Sequence, residues 1–313
     1  MDLEPEDEDE VPRSGSAADT AARVHQGLRL AEAWLRRQPR SGVPELLRFA
    51  VSLLRTHFFP SGHGLIDTQG RVQRQAPAAR IAMTLRLRDG APAPFEHRVR
   101  LWISALGPDN VQLAGRHSDA SFSSITLYAS AFTGAASTVA LQHAVHEVLH
   151  MLFTLVDRLR QRHGDAMADA FLQHDPWRLL DLRRHEALRK RLQQTLGPLL
   201  QMLGSPEPAA MAAGQLVEEA FCYTLSMHLR FVLERGAKSG IVSSSVTDVL
   251  VRHYVLDHAP RLAALLGTPE LEQASAPLRP ILDELQAALN ATWEGGTVAP
   301  QSEAPTEVLF EPF

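Results

Sequence analysis

The sequence of 313 residues has little cysteine and no long uncharged apolar run. Its single cysteine, Cys222, excludes an intrachain disulfide and a cysteine-rich zinc cluster, and it fits a reducing compartment. The N-terminus has neither a basic region nor an apolar region of the kind found in signal peptides. No apolar stretch reaches the roughly 18 uncharged residues of a membrane span. We therefore expect a cytoplasmic protein without a membrane segment, although export that needs no cleaved signal stays open.

A concentrated basic surface is also missing. The net charge is −5, and the seven acidic residues within 1–10 leave the rest of the chain at about +2. A nucleic-acid face would need basic residues gathered on one surface. The one basic run, Arg183–Arg191, has leucines interleaved at helical spacing and no aromatic stack beside it, which is typical of a solvated helix face. We expect no nucleic-acid partner.

Composition and periodicity divide the chain into one folded unit, 18–293, with flexible ends. The predicted segments are a disordered acidic tail over 1–17, helices over 18–60, a sheet over 61–132, helices over 133–293 and a disordered tail over 294–313. The order predicts an α+β fold in which a small antiparallel sheet precedes a mostly helical half.

The end of the C-terminal tail differs in amino-acid composition from the rest of the tail. Thr306–Phe313 (TEVLFEPF) is apolar after a polar stretch. Such a peptide can add as a strand to an exposed sheet edge, either in the protein's own groove or on a partner. The simpler interpretation is a tail that takes no part in the fold.

The chemistry-bearing motif is HEVLH, in the middle of the strongest helical pattern, at roughly 136–162. His146 and His150 are four residues apart, so one helix face presents both imidazoles to a single ion. Glu147 lies one position round the helix, where it can take a proton from a metal-bound water. Apolar residues flank all three, and buried His and Glu side chains need partners, which a zinc ion supplies. We predict Zn²⁺, with His146 and His150 as ligands and Glu147 as general base.

HEVLH in an apolar helix that follows a small sheet resembles the zincin metallopeptidases. The resemblance implies a zincin-like fold with this helix at its centre, and hydrolysis of peptide bonds. The disordered tails and the cytoplasmic composition favour particular protein substrates over bulk peptide. It also implies that the strand before the helix, within 121–131, forms an edge that holds the substrate in extended form. Two alternatives remain: a zincin-fold regulatory protein that binds a partner without cleaving it, and a chance HExxH in a helical interaction protein.

The third metal ligand decides the subclass. A metzincin would need a Gly at position 153 and a His at position 156, but the sequence has Phe153 and Val156. The resemblance is therefore to the gluzincins, in which a Glu from a later helix completes the site, and Glu218-Glu219 in the helix at 209–235 fit. In one gluzincin group the ligand Glu precedes an Ala, which favours Glu219.

Helical periodicity favours the other carboxylate. Glu218 shares its face with Phe221, Cys222 and Leu225, whereas Glu219 shares its face with Tyr223, Ser226 and Arg230. A carboxylate on an apolar, inward-facing side of a helix needs a partner for its buried charge, so we choose Glu218 as the third ligand.

Two further roles stay open at this stage. The family usually places a His or Tyr to steady the oxyanion, and the candidates are Tyr223, His228, His253 and Tyr254. His143 is either a neighbour of the metal site or a surface histidine.

Overall fold

The computed structural model describes residues 17–59, 78–85, 93–104, 115–119, 123–205, 207–236, 268–294 and 307–312. Helices dominate these residues and one small sheet accompanies them, so the predicted α+β class is confirmed. The α-helices are α1 (Ala17–Leu35), α2 (Gly42–Leu53), α3 (Ser137–His163), α4 (Asp165–Leu172), α5 (Glu186–Thr195), α6 (Gly197–Leu203), α7 (Ala209–Arg235), α8 (Pro269–Ser275) and α9 (Arg279–Glu294). The strands are β1 (Ala78–Leu85), β2 (Ala93–Ser104), β3 (Gly115–Asp119), β4 (Ser123–Tyr128) and β5 (Glu307–Pro312).

The sheet is mixed, in the order β3-β4-β2-β1-β5, and this corrects the prediction of an antiparallel sheet. Strand β4 pairs antiparallel with β3 but parallel with β2, with Leu101 opposite Ile125. The short link between β3 and β4 makes them an antiparallel pair, and it is β4 that lies against β2. Strand β4 is consequently an inner strand. The edge expected within 121–131 is instead occupied by β3.

The opposite edge of the sheet is formed by the C-terminal strand β5. Strand β5 pairs antiparallel with β1, from Thr84 opposite Glu307 to Ala79 opposite Pro312. These six residues of the tail form a strand on a sheet edge of the protein itself, which is the alternative raised for Thr306–Phe313 rather than an uninvolved tail. The apolar run Val308–Phe310 has the composition of a strand, and β1 otherwise offers an unpaired row of backbone groups.

Helix α3 lies at the centre of the fold, in contact with α1, α7, β3 and β4. It is the one helix among the described residues that is long and apolar enough to cross a membrane, and 78% of its apolar window is buried inside the protein. On the sheet side, Val99, Leu101, Ile125 and Leu127 are fully buried. Alternate residues of β2 and β4 therefore supply one wall of the core around α3.

A glycine sets the distance between α1 and α3. A Cβ atom on Gly27 would lie 2.6 Å from the Ser137 carbonyl oxygen and 2.7 Å from Leu141 Cβ. Both distances are shorter than real Cβ contacts. The two helices can therefore meet at this point only because Gly27 has no side chain.

The basic run carries its own counter-charges. Arg183 Nε donates to Asp181 at 2.6 Å and Arg183 Nη1 donates to Asp169 at 2.8 Å, while Arg189 Nη2 lies 2.6 Å from Glu186.

Some predictions fall on other parts of the chain. The acidic tail up to residue 16, residues 237–267 of the predicted helical half, and residues 295–306 lie outside the described residues.

Candidate metal centre

Helix α3 brings the two predicted histidine ligands together. Its spacing of four residues stacks His146 and His150, and their Nε2 atoms lie 3.1 Å apart. His146 is almost completely buried, and the His150 side chain is 12% exposed. Glu147, between them on the same helix, is 4% exposed. All three motif residues are therefore buried or nearly buried.

Helix α7 runs antiparallel to α3 and completes the cluster. Thr138, near the start of α3, contacts Glu234, near the end of α7, and one end of each helix is thereby fixed against the other. Further along, Glu219 Oε2 lies 3.3 Å from His146 Nε2, and Glu219 Oε1 lies 3.2 Å from His150 Nε2. One atom from each of the three side chains falls within 4.8 Å of the others.

The structure brings Glu219, rather than the predicted Glu218, to the two Nε2 atoms. Glu218 Oε1 instead accepts a hydrogen bond of 2.7 Å from Nδ1 of His150, the ring nitrogen that points away from the cluster. We therefore replace Glu218 with Glu219 as the candidate third ligand.

Burial around α7 explains why periodicity favoured Glu218. Every residue from Ala220 to Met227 is buried, because α1, α3, α5 and α9 all contact this helix. Tyr223 and Ser226, which were expected on the more solvated face with Glu219, are 5% and 0% exposed. A helix that is buried all round has no single inward face from which a ligand can be chosen.

The three donors fit a zinc ion in geometry. Zinc binds His nitrogen and carboxylate oxygen at about 2.0–2.2 Å, and in a tetrahedral site two such ligand atoms stand about 3.3 Å apart. The two Nε2 atoms lie 3.1 Å apart, and each lies 3.2 to 3.3 Å from one of the two carboxylate oxygens of Glu219. Two His and one Glu are also a donor set that zinc uses in catalytic sites, where a fourth position stays open.

The hydrogen-bonding roles of these atoms point to a cation as well. In neutral His150 the one N–H is used at Nδ1 toward Glu218, so Nε2 carries a lone pair. That lone pair faces a carboxylate oxygen of Glu219 and Nε2 of His146. Acceptors that converge in this way repel one another unless a proton or a metal ion lies between them.

The electrostatics of the cluster favour positive charge. Burial alone would lower the pKa of His150, but contacts with Cys222, Glu219 and Glu218 raise it well above its ordinary value. Burial raises the pKa of the Cys222 thiol to about 12, so this neighbour of His150 is neutral at physiological pH.

Tyr223 is the oxyanion candidate that lies at the cluster. Its ring centroid is 4.2 Å from that of His146, at an interplanar angle of 48°. His228 lies elsewhere, with its ring 6.5 Å from Trp34, and burial lowers its pKa to about 4. His253 and Tyr254 are outside the described residues. His143 packs beside Phe132, with ring centroids 5.7 Å apart.

Sequence reasoning weighed Glu219 but chose Glu218, and it missed two contacts of the histidines, Cys222 beside His150 and the packing of Tyr223 on His146. One signal was present. Glu219 and Tyr223 are four residues apart, so they share a face of α7, and both meet His146.

Comparison of the whole chain with protein-family models, with curated proteins and with solved structures gave no match.

Proposed function

We propose that this chain is a zinc-dependent metallopeptidase with a zincin-like fold, in which His146, His150 and Glu219 hold the ion. The observation that carries the proposal is the convergence of both Nε2 atoms and the Glu219 carboxylate within 3.1 to 3.3 Å, on helices that also carry a buried Glu147. A bound zinc ion would supply a Lewis acid that polarises a peptide carbonyl and lowers the pKa of a water molecule.

Glu147 is the general base, and afterwards the general acid, of this proposal. As the neighbour of His146 in α3 it is close to the cluster without being one of its three donors. A carboxylate there takes a proton from the attacking water and delivers it to the leaving amine. Tyr223, whose ring packs on His146, is the residue among the four oxyanion candidates that we assign to the developing negative charge.

Strand β3 is the candidate binding edge for an extended peptide. It has only β4 as a described neighbour in the sheet, and it contacts α3, the helix that carries both histidines. A substrate that adds to this edge would gain main-chain hydrogen bonds and lie beside the catalytic helix. The substrates proposed are proteins or peptides that present an extended segment, in keeping with the family that HEVLH resembles.

The first test measures zinc per chain by elemental analysis in the wild type, Glu219→Ala and Glu218→Ala, all purified identically. We expect about one zinc ion in the wild type and almost none in Glu219→Ala, because a site with two donors binds zinc weakly. If the wild type contains no zinc and takes up none on addition, the metal site is contradicted. The alternative that remains is a helical interaction protein with a chance HExxH.

The second test asks whether the zinc-loaded protein cleaves peptide bonds. Wild type and Glu147→Gln are incubated with a proteome-derived peptide mixture, and new termini are counted by mass spectrometry. We expect cleavage by the wild type and a loss of nearly all of it in Glu147→Gln. If the wild type holds zinc but produces no new termini, the peptidase proposal is contradicted, and the result favours a zincin-fold protein that binds a partner without cleaving it.

A further inference from the structure

Two consecutive residues of α7 reach the two nitrogens of one imidazole. Glu218 Oε1 lies 2.7 Å from Nδ1 of His150, and Glu219 Oε1 lies 3.2 Å from Nε2 of the same ring. The first distance is in the range of a hydrogen bond to a charged acceptor. The ring of His150 is therefore held from both sides by one helix.

The chemistry of this arrangement fixes the tautomer of His150. An ionised carboxylate only accepts hydrogen bonds, so Nδ1 must carry the proton that Glu218 accepts. Neutral imidazole has a single N–H, so in the neutral ring that a metal requires, Nε2 has the lone pair, directed at His146 and Glu219. Nε2 must be in that state if it is to bind a metal.

The two histidines are held in different ways. His146 has a side chain that is 2% exposed, and the ring of Tyr223 packs against it at 4.2 Å. His150 is 12% exposed, and its partner Glu218 is 32% exposed, so this half of the site is nearer to solvent. Packing restricts a ring less where water reaches it, and a directed hydrogen bond then does more to set its orientation.

We propose that Glu218 is a positioning residue that orients His150 and keeps it in the Nδ1–H tautomer, so that Nε2 is available to the metal. The proposal rests on the metal site of the proposed function. It gives the second of the paired carboxylates a role distinct from ligation, and it predicts that Glu218 controls how tightly zinc is bound. Partners of this kind typically contribute a factor of about 10 to 100 in metal affinity.

The test is a zinc titration against a competing fluorescent chelator, with wild type, Glu218→Ala, Glu218→Gln and Glu219→Ala. We expect Glu218→Ala to bind one zinc ion about 10- to 100-fold more weakly than the wild type. Glu218→Gln should recover most of the lost affinity, because its amide oxygen can accept the same hydrogen bond. Gln215→Ala, on a half-buried residue of the same helix, is the matched control and should leave the affinity unchanged.

A second readout separates positioning from a general loosening of the fold. In the cobalt-substituted protein, the absorption bands report the arrangement of the ligands around the ion. We expect Glu218→Ala to shift these bands and Glu218→Gln to restore them, while the urea midpoint of the metal-free protein stays the same in all three. If the urea midpoint of metal-free Glu218→Ala falls together with its zinc affinity, the lost affinity reflects a loosened fold. Glu218 would then be a structural residue, and the proposal would be overturned.

The remaining outcomes distinguish this inference from the proposed function. A wild type that holds one zinc ion, with Glu218→Ala binding it equally tightly, would overturn the positioning role and leave the metal site intact. Zinc lost from Glu218→Ala and retained by Glu219→Ala would make Glu218 the ligand. Failure of the wild type itself to bind zinc would remove the metal site first, and the role of Glu218 with it.

Discussion

Gly27 of α1 lies so close to Ser137 of α3 that a Cβ atom on the glycine would stand 2.6 Å from the Ser137 carbonyl oxygen. Backbone at the start of α3 cannot give way as a flexible side chain can, and Leu141 Cβ would be only 2.7 Å away. The contact therefore places α1 against the helix that carries HEVLH.

We expect Gly27→Ala to destabilise the protein by about 1 to 3 kcal/mol, the usual cost of forcing extra volume into a packed core. The measurement is the free energy of unfolding in urea. Gly214→Ala is the matched control, because a Cβ atom on this helical glycine of α7 meets nothing within 4 Å. The control should be neutral or slightly stabilising, since alanine favours helix more than glycine does. Equal stability of the two variants would contradict the close approach.

Glu147→Gln is expected to separate catalysis from metal binding. The amide is similar in size and keeps the buried position, but it cannot take a proton from water. Peptide cleavage should fall by a factor of about 10² to 10⁴, the usual contribution of a general base. Zinc content, measured on the same preparation, should stay at the wild-type level. Retention of cleavage with zinc bound would assign the base to another residue.

Removal of zinc is expected to lower the melting temperature of the wild type. A ligand that binds only the folded state stabilises it by mass action, by about 2.7 kcal/mol when the free ligand is 100-fold above its dissociation constant. Melting curves with added zinc and with a chelator measure the difference. Glu219→Ala should show the same melting temperature in both conditions, and a zinc response equal to that of the wild type would exclude Glu219 as a ligand.

Thr138→Val tests the contact between the start of α3 and the end of α7. Thr138 Oγ1 donates to Glu234 Oε1 at 2.6 Å, and Arg230 Nε donates to the same oxygen at 2.9 Å. Burial alone would raise the pKa of Glu234, but these hydrogen bonds and the nearby arginines lower it. A lowered carboxyl pKa stabilises the fold above the pKa of the unfolded state, and this stabilisation is lost as the pH falls through the folded pKa.

The variant should therefore lose about 1 kcal/mol near neutral pH. The difference from wild type should shrink as the pH falls below about 4.5, the range in which the unfolded carboxyl is protonated. Urea unfolding across a pH series measures this. Thr195→Val is the control, because Thr195 Oγ1 donates to a backbone carbonyl, that of Arg191, and its loss should cost the same at every pH. A Thr138→Val deficit that does not change with pH would contradict the link to Glu234.

Removal of residues 306–313 tests the role of β5. Strand β1 would then become an edge with unpaired backbone groups, and such edges pair with other chains. We expect concentration-dependent self-association, measured by light scattering after size-exclusion chromatography. Zinc content should be unchanged, because β5 lies at the opposite edge of the sheet from β3. Leu309→Pro, which removes one backbone donor from β5, should associate to an intermediate extent. A truncated chain that stays as monodisperse as the wild type would show that β5 does not protect β1.

Long helices with a continuous apolar pattern were predictable from the sequence. The pattern at 136–162 predicts α3 (Ser137–His163) to within one residue, and the pattern at 209–235 predicts α7 with its observed bounds. His146 and His150 followed from spacing alone, because a distance of four residues along one helix is a local property. Their juxtaposition at 3.1 Å needed no knowledge of the rest of the chain.

The features that depend on contacts between distant segments were not predictable in the same way. The parallel pairing of β2 with β4 depends on where β4 docks, and alternation within a strand does not report its neighbour. The choice between Glu218 and Glu219 depends on the rotation of α7 against α3. Because α7 is buried on all sides over Ala220–Met227, its apolar pattern contains no information on that rotation.

The paired carboxylates make metal binding a sensitive measure of how α3 and α7 pack. Neighbouring residues of a helix are separated by about 100° of rotation, so a change in packing that turns α7 by one residue would carry Glu219 away from the two Nε2 atoms. Phe153 of α3 and Phe221 of α7, with ring centroids 5.2 Å apart, lie at the same interface. Substitutions that alter this aromatic contact should therefore change zinc affinity while the protein is still folded.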